Sequence, residues 1–579
     1  MKTTLKYYIR YIPLIALILA FLFGQAMCEL ALPGYMSDII NNGIVKGDMD
    51  YIKKIGLIMI VVSAATVVCA VMGSFLSSRV AASSSRDIRK SLFKKVMGFS
   101  AAELEEFSTA SLITRSTNDV QMVQQASVMT LRMACFAPIM GIGAVIKALD
   151  TSVSLSWTVG LALAVIIGIM LFAFLLIMPK FQVLQKKLDK LNLIMKERLS
   201  GILVIRAFTT EKKEENRFDE ANKDLTKINL FVNKAMSFMM PALFFVMNGV
   251  SILIIWAGAH LIEADKLMIG DMLAYLQYAM HVIMSFLFIT MMFIMIPRAF
   301  VSAQRIGAVL EVNPTITDKE EPCELENPKG TVEFKNVSFA YPDAEEKTLS
   351  DISFKAEPGK TTAIIGGTGS GKSSLISLIP RFYDVTEGTI TIDGMDIRDL
   401  SQHELREQIG FVPQKGLLFS GTIGTNLRYG KEDAGIEEMT EAAETAQAME
   451  FIKEKEAGFD EEVAQGGVNV SGGQKQRISI ARALVKKPKI YIFDDSFSAL
   501  DFKTDKVLRK ALEEKVGDST IIIVAQRINT ILEADQIIVL DEGRLAGRGT
   551  HSELMNTCEV YREIALSQLS EDELERGRE

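Results

Sequence analysis

Six apolar runs, each long enough to cross a bilayer as a helix, crowd into roughly the first three hundred residues of this chain. They lie near residues 12–33, 54–78, 128–149, 154–178, 236–262 and 268–296. A spanning helix needs about 20 predominantly apolar residues, and six such runs in series rule out a soluble reading of this half. About 250 residues follow in which apolar and charged positions alternate as they do in soluble domains. At 579 residues the chain exceeds one core, and its length predicts three or four domain-sized units.

Basic residues in the connections give the orientation. Arg79, Arg86, Arg89, Lys90, Lys94 and Lys95 follow the second run, and Lys180, Lys186, Lys187, Lys190, Lys196 and Arg198 follow the fourth. Both connections therefore belong in the cytoplasm. Lys2, Lys6 and Arg10 place the N-terminus there too, and an even number of spans returns the chain to the same side. The first run lacks a small-residue cleavage site, so it reads as a retained span rather than a removed leader.

Each cytoplasmic connection is roughly fifty residues long with apolar residues at helical spacing. The spans are thus expected to continue well past the bilayer and turn at short tip helices, around 101–108 and 207–214, suited to docking on the cytosolic half. Glu29, inside the first run, marks either a water-lined path or partner, or an outer interface set by Pro33 and Gly34. Many of the 29 methionines fall on the last two runs, where flexible thioethers suit either a promiscuous apolar cavity or lipid. Glu311–Gly330, with three prolines and many charges, breaks all periodicity and reads as a linker. Cys28, Cys69, Cys135, Cys323 and Cys558 include no C-x-x-C pair, which argues against a zinc site or disulfide framework. A net charge of −8 with no further basic tract gives no support for nucleic acid as a partner.

Three motifs carry the chemistry of the second half. TVEFKNVSFAYP alternates as a half-buried strand, and TTAIIG, a short buried strand, runs directly into GGTGSGKSS and then the helical SLISLI. Strand, glycine-rich loop and helix in that order make a phosphate loop: Gly366, Gly367, Thr368, Gly369, Ser370, Gly371, Lys372, Ser373 and Ser374. Its backbone N–H groups and helix start bind phosphates, Lys372 reaches the outer oxygens, and the Ser373 hydroxyl suits Mg2+. The other two motifs are VSGGQKQR (Val470–Arg477) and the strand YIFDD (Tyr491–Asp495).

With six spans ahead of it, this set resembles an ATP-binding cassette (ABC) exporter half-transporter over nearly the whole chain. The resemblance implies a six-helix membrane domain (1–310), a linker (311–330), an α/β P-loop cassette (331–570) and an acidic tail (571–579). It implies ATP and Mg2+ as ligands, with Tyr341 stacking on adenine and Gln414 reaching the metal and the membrane domain. Asp494 would hold Mg2+ with Ser373, and Asp501 would contact a second cassette. Because such cassettes close head to tail, Ser471, Gly472, Gly473 and Gln474 would serve the nucleotide of a partner.

The departures from that pattern are as informative as the matches. The family normally has Glu where this chain has Asp495, and His where it has Gln526. A shortened carboxylate and a side chain that cannot share a proton leave the binding groups intact but weaken hydrolysis. The expectation is a degenerate-site subunit of a heterodimeric multidrug-type exporter of the bacterial plasma membrane. Its partners would be a second half-transporter with the usual Glu and His, and membrane lipid, and its cargo a hydrophobic or amphipathic compound such as a drug or a lipid. The alternatives are a homodimeric lipid flippase, or an ATP-gated regulator, against which the intact SGGQ argues. A peptide-processing exporter would carry a protease domain before the first span, where only about ten residues stand here.

Overall fold

The computed structural model describes residues 2–342 and 344–568; the acidic stretch 571–579 lies outside them. The chain forms two compact units. One comprises the residues up to Val96 with Ala110–Val312, the other Met97–Thr109 with the chain from Asn313 onward.

Among the described residues of the first unit, six helices are long and apolar enough to cross a membrane. The principal segments are Ile12–Asp38, Met49–Met97, the run Thr109–Thr151 with two π-turns, Ser156–Ser200, Glu211–Glu263 and Ile269–Glu311. At 1.5 Å per residue, the 49- and 53-residue helices extend about 73 and 80 Å, more than twice a hydrocarbon core of about 30 Å. Pro33 does not end the first span; the helix continues to Asp38 and into a π-turn over Ile39–Ile44. Glu29 is therefore mid-helix and half-buried, its carboxylate accepting from Gln25 Nε2 at 2.9 Å. Ala26, Leu30, Met140, Ala144, Tyr275 and Tyr278 knit the first, third and last spans into one core. Small residues permit close approach of the spans: a Cβ on Gly143 would meet Leu30 Cδ1 of the first span at 2.3 Å, and one on Gly258 of the fifth span would meet Met272 Sδ of the last at 2.7 Å.

The two tips differ. The first is the short helix Ala101–Phe107, which belongs to the second unit. Ser100 and Glu103 form a capping box at its start. Glu103 is buried and does more than cap: Oε2 accepts from Ser100 N at 2.6 Å and Oε1 from Thr315 N at 2.9 Å. Glu105 Oε1 accepts from the Tyr383 hydroxyl at 3.0 Å. The second tip lies earlier than expected. Gly201, a poor helix former, ends the preceding helix, a short helix spans Ile202–Ala207, and the next starts at Glu211 with Glu211 and Glu214 complementing its N-terminal dipole. Leu199, Leu203, Val204 and Phe208 around this tip are exposed.

The segment from Asn313 to Gly330 is not a free tether. Gln402 N donates to Asp318 at 3.0 Å, Cys323 N to Asp399 O at 2.8 Å, and the N–H groups of Lys329, Gly330 and Thr331 all donate to Asp393.

The cassette strands are β1 (Val332–Phe339), β2 (Leu349–Ala356), β3 (Thr361–Gly366), β4 (Glu387–Ile392), β5 (Met395–Asp396), β6 (Ile409–Val412), β7 (Gly421–Thr422), β8 (Glu462–Val463), β9 (Ile490–Asp494), β10 (Thr520–Val524), β11 (Gln536–Asp541) and β12 (Arg544–Gly549). A six-stranded sheet runs β12-β11-β3-β10-β9-β6, parallel from β11 to β6; an antiparallel sheet runs β2-β1-β4-β5. The parallel strands are almost wholly apolar, as strands covered on both faces must be, and their side chains feed two separate cores.

Burial alone pushes the Glu103 carboxyl up, but the hydrogen bonds from Ser100 and Thr315 outweigh it and hold it below the usual range. Its stabilising contribution is thus present at neutral pH and lost only as pH falls below that range. Glu103→Ala is expected to weaken tip docking by about 1–3 kcal/mol, read as faster hydrogen exchange at the Thr315 amide. Glu103→Gln should cost less and lack the acid-side loss.

Candidate nucleotide site

The carboxyl ends of four parallel strands build the site. Register aligns Ile364, Val524 and Asp494 across β3, β10 and β9, and Val412 with Phe493 across β6 and β9. Two residues past the aligned Ile364, Val524 and Val412 stand Gly366, Gln526 and Gln414, with Asp495 one residue past Asp494. Residues separated by up to 160 positions are therefore brought to one edge by pairing alone, the usual location for ligands in an open α/β sheet.

Close approach and a left-handed backbone fix two glycines of the phosphate loop. A Cβ on Gly366 would meet Leu540 O at 2.2 Å, and Gly371, at φ +93°, turns the chain into the helix Lys372–Leu378. The Lys372 ammonium folds back onto its own loop, donating to Gly366 O at 2.9 Å and Gly367 O at 2.7 Å. Burial lowers its pKa, partly offset by Asp495 and Asp494. Phosphate oxygens would replace those carbonyls as stronger acceptors.

Ser373 Oγ donates to Asp494 Oδ1 at 3.1 Å. Burial pushes the Asp494 carboxyl up, and Asp495 beside it pushes further, while Ser373 and Lys372 oppose. An all-oxygen set under that penalty suits a hard divalent cation. Asp495 carries a left-handed backbone, φ +45°, which Asp adopts more readily than most residues. Its N–H donates to Val524 O at 3.0 Å and its carbonyl accepts from Ser498 Oγ at 2.8 Å. Its Oδ2 accepts from both Gln526 Nε2, at 3.0 Å, and Gln414 Nε2, at 3.2 Å. Tyr341 joins the loop through its hydroxyl, 2.8 Å from Ser374 Oγ, with its ring edge-on to Phe339 and Tyr383.

Two sets of expected residues stand apart from this cluster. Ser471 caps the 15-residue helix Gly472–Lys486, accepting from Gln474 N at 3.3 Å while Ser471 N donates to Gln474 Oε1 at 3.1 Å. Ser471 and Gly472 are exposed and Gly473 is half-buried, and among the described residues no hydrogen bond joins them to the phosphate loop. Asp501 caps the helix Phe502–Val516, accepting from Thr504 N at 3.0 Å and Thr504 Oγ1 at 2.7 Å. Sequence reasoning missed Gln568, whose side chain bonds the backbone on both sides of Arg527. It also missed the bond from Glu103 to Thr315; the S-x-x-E spacing announces the cap but not the remote amide.

Along its length the chain is 38% identical to an uncharacterized ABC transporter ATP-binding protein of Mycobacterium tuberculosis, over 97% of each. It belongs to the ABC transporter family. Residues 15–286 match the family model for the ABC transporter transmembrane region and residues 349–498 that for the ABC transporter. An ATP-dependent lipid A-core flippase of Desulfotalea psychrophila is 33% identical over 90% of this chain and 91% of its own. The solved structure of a bacterial Atm1-family ABC exporter with ATP bound superposes with a TM-score of 0.78 at 25% identity, covering 97% of this chain and 99% of the other. This ABC chain is thus an exporter half-transporter: a six-helix membrane domain fused to a P-loop ATPase that binds ATP and couples its use to transport.

The ligand-free cassette holds two adjacent buried carboxylates. Asp494→Asn is expected to leave it at least as stable at neutral pH, because the wild-type penalty exists where Asp494 is ionised and fades as pH falls through its raised pKa. Thermal unfolding of ligand-free protein at several pH values checks this.

Proposed function

We propose that this half-transporter is the degenerate-site subunit of a heterodimeric exporter of hydrophobic or amphipathic compounds in the plasma membrane, with its cassette in the cytoplasm. The observation that carries the reading is the double occupation of Asp495 Oδ2 by the carboxamides of Gln526 and Gln414. In this position the carboxylate should orient and polarise the attacking water. One methylene shorter than Glu, it is withdrawn by roughly 1.5 Å, and a misplacement of about 1 Å can cost on the order of 10²-fold. Gln526 donates a hydrogen bond but holds no proton to exchange.

The binding groups are complete. Loop amides, the helix start and Lys372 take the phosphates of ATP; Tyr341 offers a ring beside Ser374 for the base. Ser373, Asp494 and Gln414 offer oxygens to Mg2+, which when bound would neutralise phosphate charge. The exposed Ser471 and Gly472, opening a helix with its positive dipole end outward, suit the γ-phosphate of a nucleotide on a second half-transporter. Asp501 stands at a neighbouring helix start, suited to a dimer contact, and the exposed apolar tip around Leu203 and Phe208 also suits a second subunit. The competent site would then combine the partner's phosphate loop, Glu and His with this chain's Ser471. ATP closes the cassettes, the long helices carry that closure to the membrane, and hydrolysis reopens them.

ATP turnover of the purified chain is expected to be at least about 100-fold below that of the chain co-expressed with its partner, with ATP retained in its own site. Asp495→Glu with Gln526→His should raise turnover of the chain alone. Fast turnover by the unmodified chain would instead identify a homodimer, the arrangement expected of a lipid flippase.

A further inference from the structure

We infer that Gln568, on the last turn of the helix Glu559–Gln568, is a positioning residue for the nucleotide site: it clamps the loop that carries Gln526. Its Nε2 donates to Gln526 O at 2.8 Å, and its Oε1 accepts from Ile528 N at 2.9 Å. A single carboxamide thus reads two backbone groups that flank Arg527, a fit that needs both a donor and an acceptor on one planar group. The Gln carboxamide supplies that pair without a titratable proton.

The clamp is anchored at both ends. On the helix side, Tyr561 and Ala565 are fully buried in the cassette core, and the Tyr561 hydroxyl lies 2.8 Å from His551 Nδ1. On the loop side, Ile528 is fully buried, so the stretch between β10 and Ile528 has little freedom left except at Gln526 and Arg527. Gln526 then reaches forward, its Nε2 on Asp495 Oδ2 at 3.0 Å. A continuous hydrogen-bonded path therefore runs from the C-terminal helix through Gln568, the Gln526 peptide and the Gln526 side chain to Asp495.

The consequence is that the conformation of Gln526 is set from behind, by a residue whose side chain bonds the backbone at Gln526 and Ile528 rather than the phosphate loop. Without the clamp, the Gln526 peptide can rotate and its amide need not face Asp495. The inference rests on the reading that Asp495 and Gln526 border the nucleotide, but not on slow hydrolysis. Breaking a hydrogen-bonded pair of this kind is expected to change a local equilibrium by about 3- to 10-fold.

The test uses the full-length chain in detergent or nanodiscs. Gln568→Ala is expected to raise hydrogen exchange at the Ile528 amide about 3- to 10-fold and to speed release of bound ATP by a similar factor. Gln568→Glu, which keeps the acceptor for Ile528 but loses the donor to Gln526, should preserve amide protection and still speed release. Leu566→Ala, on the exposed face of the same helix, should do neither. Unchanged exchange in Gln568→Ala overturns the clamp; changed exchange with unchanged ATP release overturns its link to the site. A loss equal in Leu566→Ala would show general weakening of the helix and also overturns it. Since release is measured without turnover, these outcomes stay separate from whether the chain alone hydrolyses ATP.

Discussion

The parallel register of β3, β10, β9 and β6 is the constraint on which the nucleotide site depends. Each strand is short and apolar, buried on both faces, and each stops within a residue or two of its neighbours. A one-residue slip would turn every side chain to the opposite face of the sheet, exchanging the contributions to the two cores and moving Asp494 away from Ser373. The edge that carries these residues is consequently as stable as the sheet beneath it. Groups placed there can change identity without moving, provided their replacements satisfy the same buried neighbours.

A second constraint acts where the long helices end. A helix emerging tens of ångströms from a bilayer can transmit movement only if its tip is held by something stiffer than a surface contact. Glu103 supplies this by accepting from two backbone amides, one from its own helix start and one from the segment that leads into the cassette. Glu105 and Tyr383 add a side-chain bond beside it. The tip and the connecting segment are thereby fixed to the same cassette surface, which is why Met97–Thr109 clusters with the cassette rather than with the spans it joins.

Much of this architecture could be read from residue order. Six apolar runs, a strand feeding GGTGSGKSS, and SGGQ ahead of YIFDD define the membrane half and the cassette, because these signals are local and repeat along one element. Signals of tertiary origin could not be read. Pro33 looks like a helix end in sequence but is absorbed within the first span, since proline's missing N–H is tolerated where neighbours pack closely. The segment after Glu311 looks like a free linker because its order comes from Asp318, Asp393 and Asp399 rather than from any period. The second tip falls ahead of its expected place because Gly201 interrupts the helix before the charged stretch does. Gln568 carries no motif; its partners are backbone groups forty residues away.

Asp495 and Gln526 show how two residues that depart from the family pattern can be accommodated without loss of the site's shape. A carboxylate 8% exposed, next to a second buried carboxylate, requires donors, and the amides of Gln526 and Gln414 provide them. Asp fits the left-handed backbone at 495, and Gln can donate at 526 without needing a proton of its own to give up. The two residues that depart from the family pattern therefore satisfy each other. Their effects should be coupled rather than additive: restoring Glu alone would crowd the Gln526 amide, and restoring His alone would face a carboxylate too short to meet it. Mutual satisfaction of this kind fits a pair that changed together more readily than two independent substitutions, and among the described residues neither side chain hydrogen-bonds the phosphate loop.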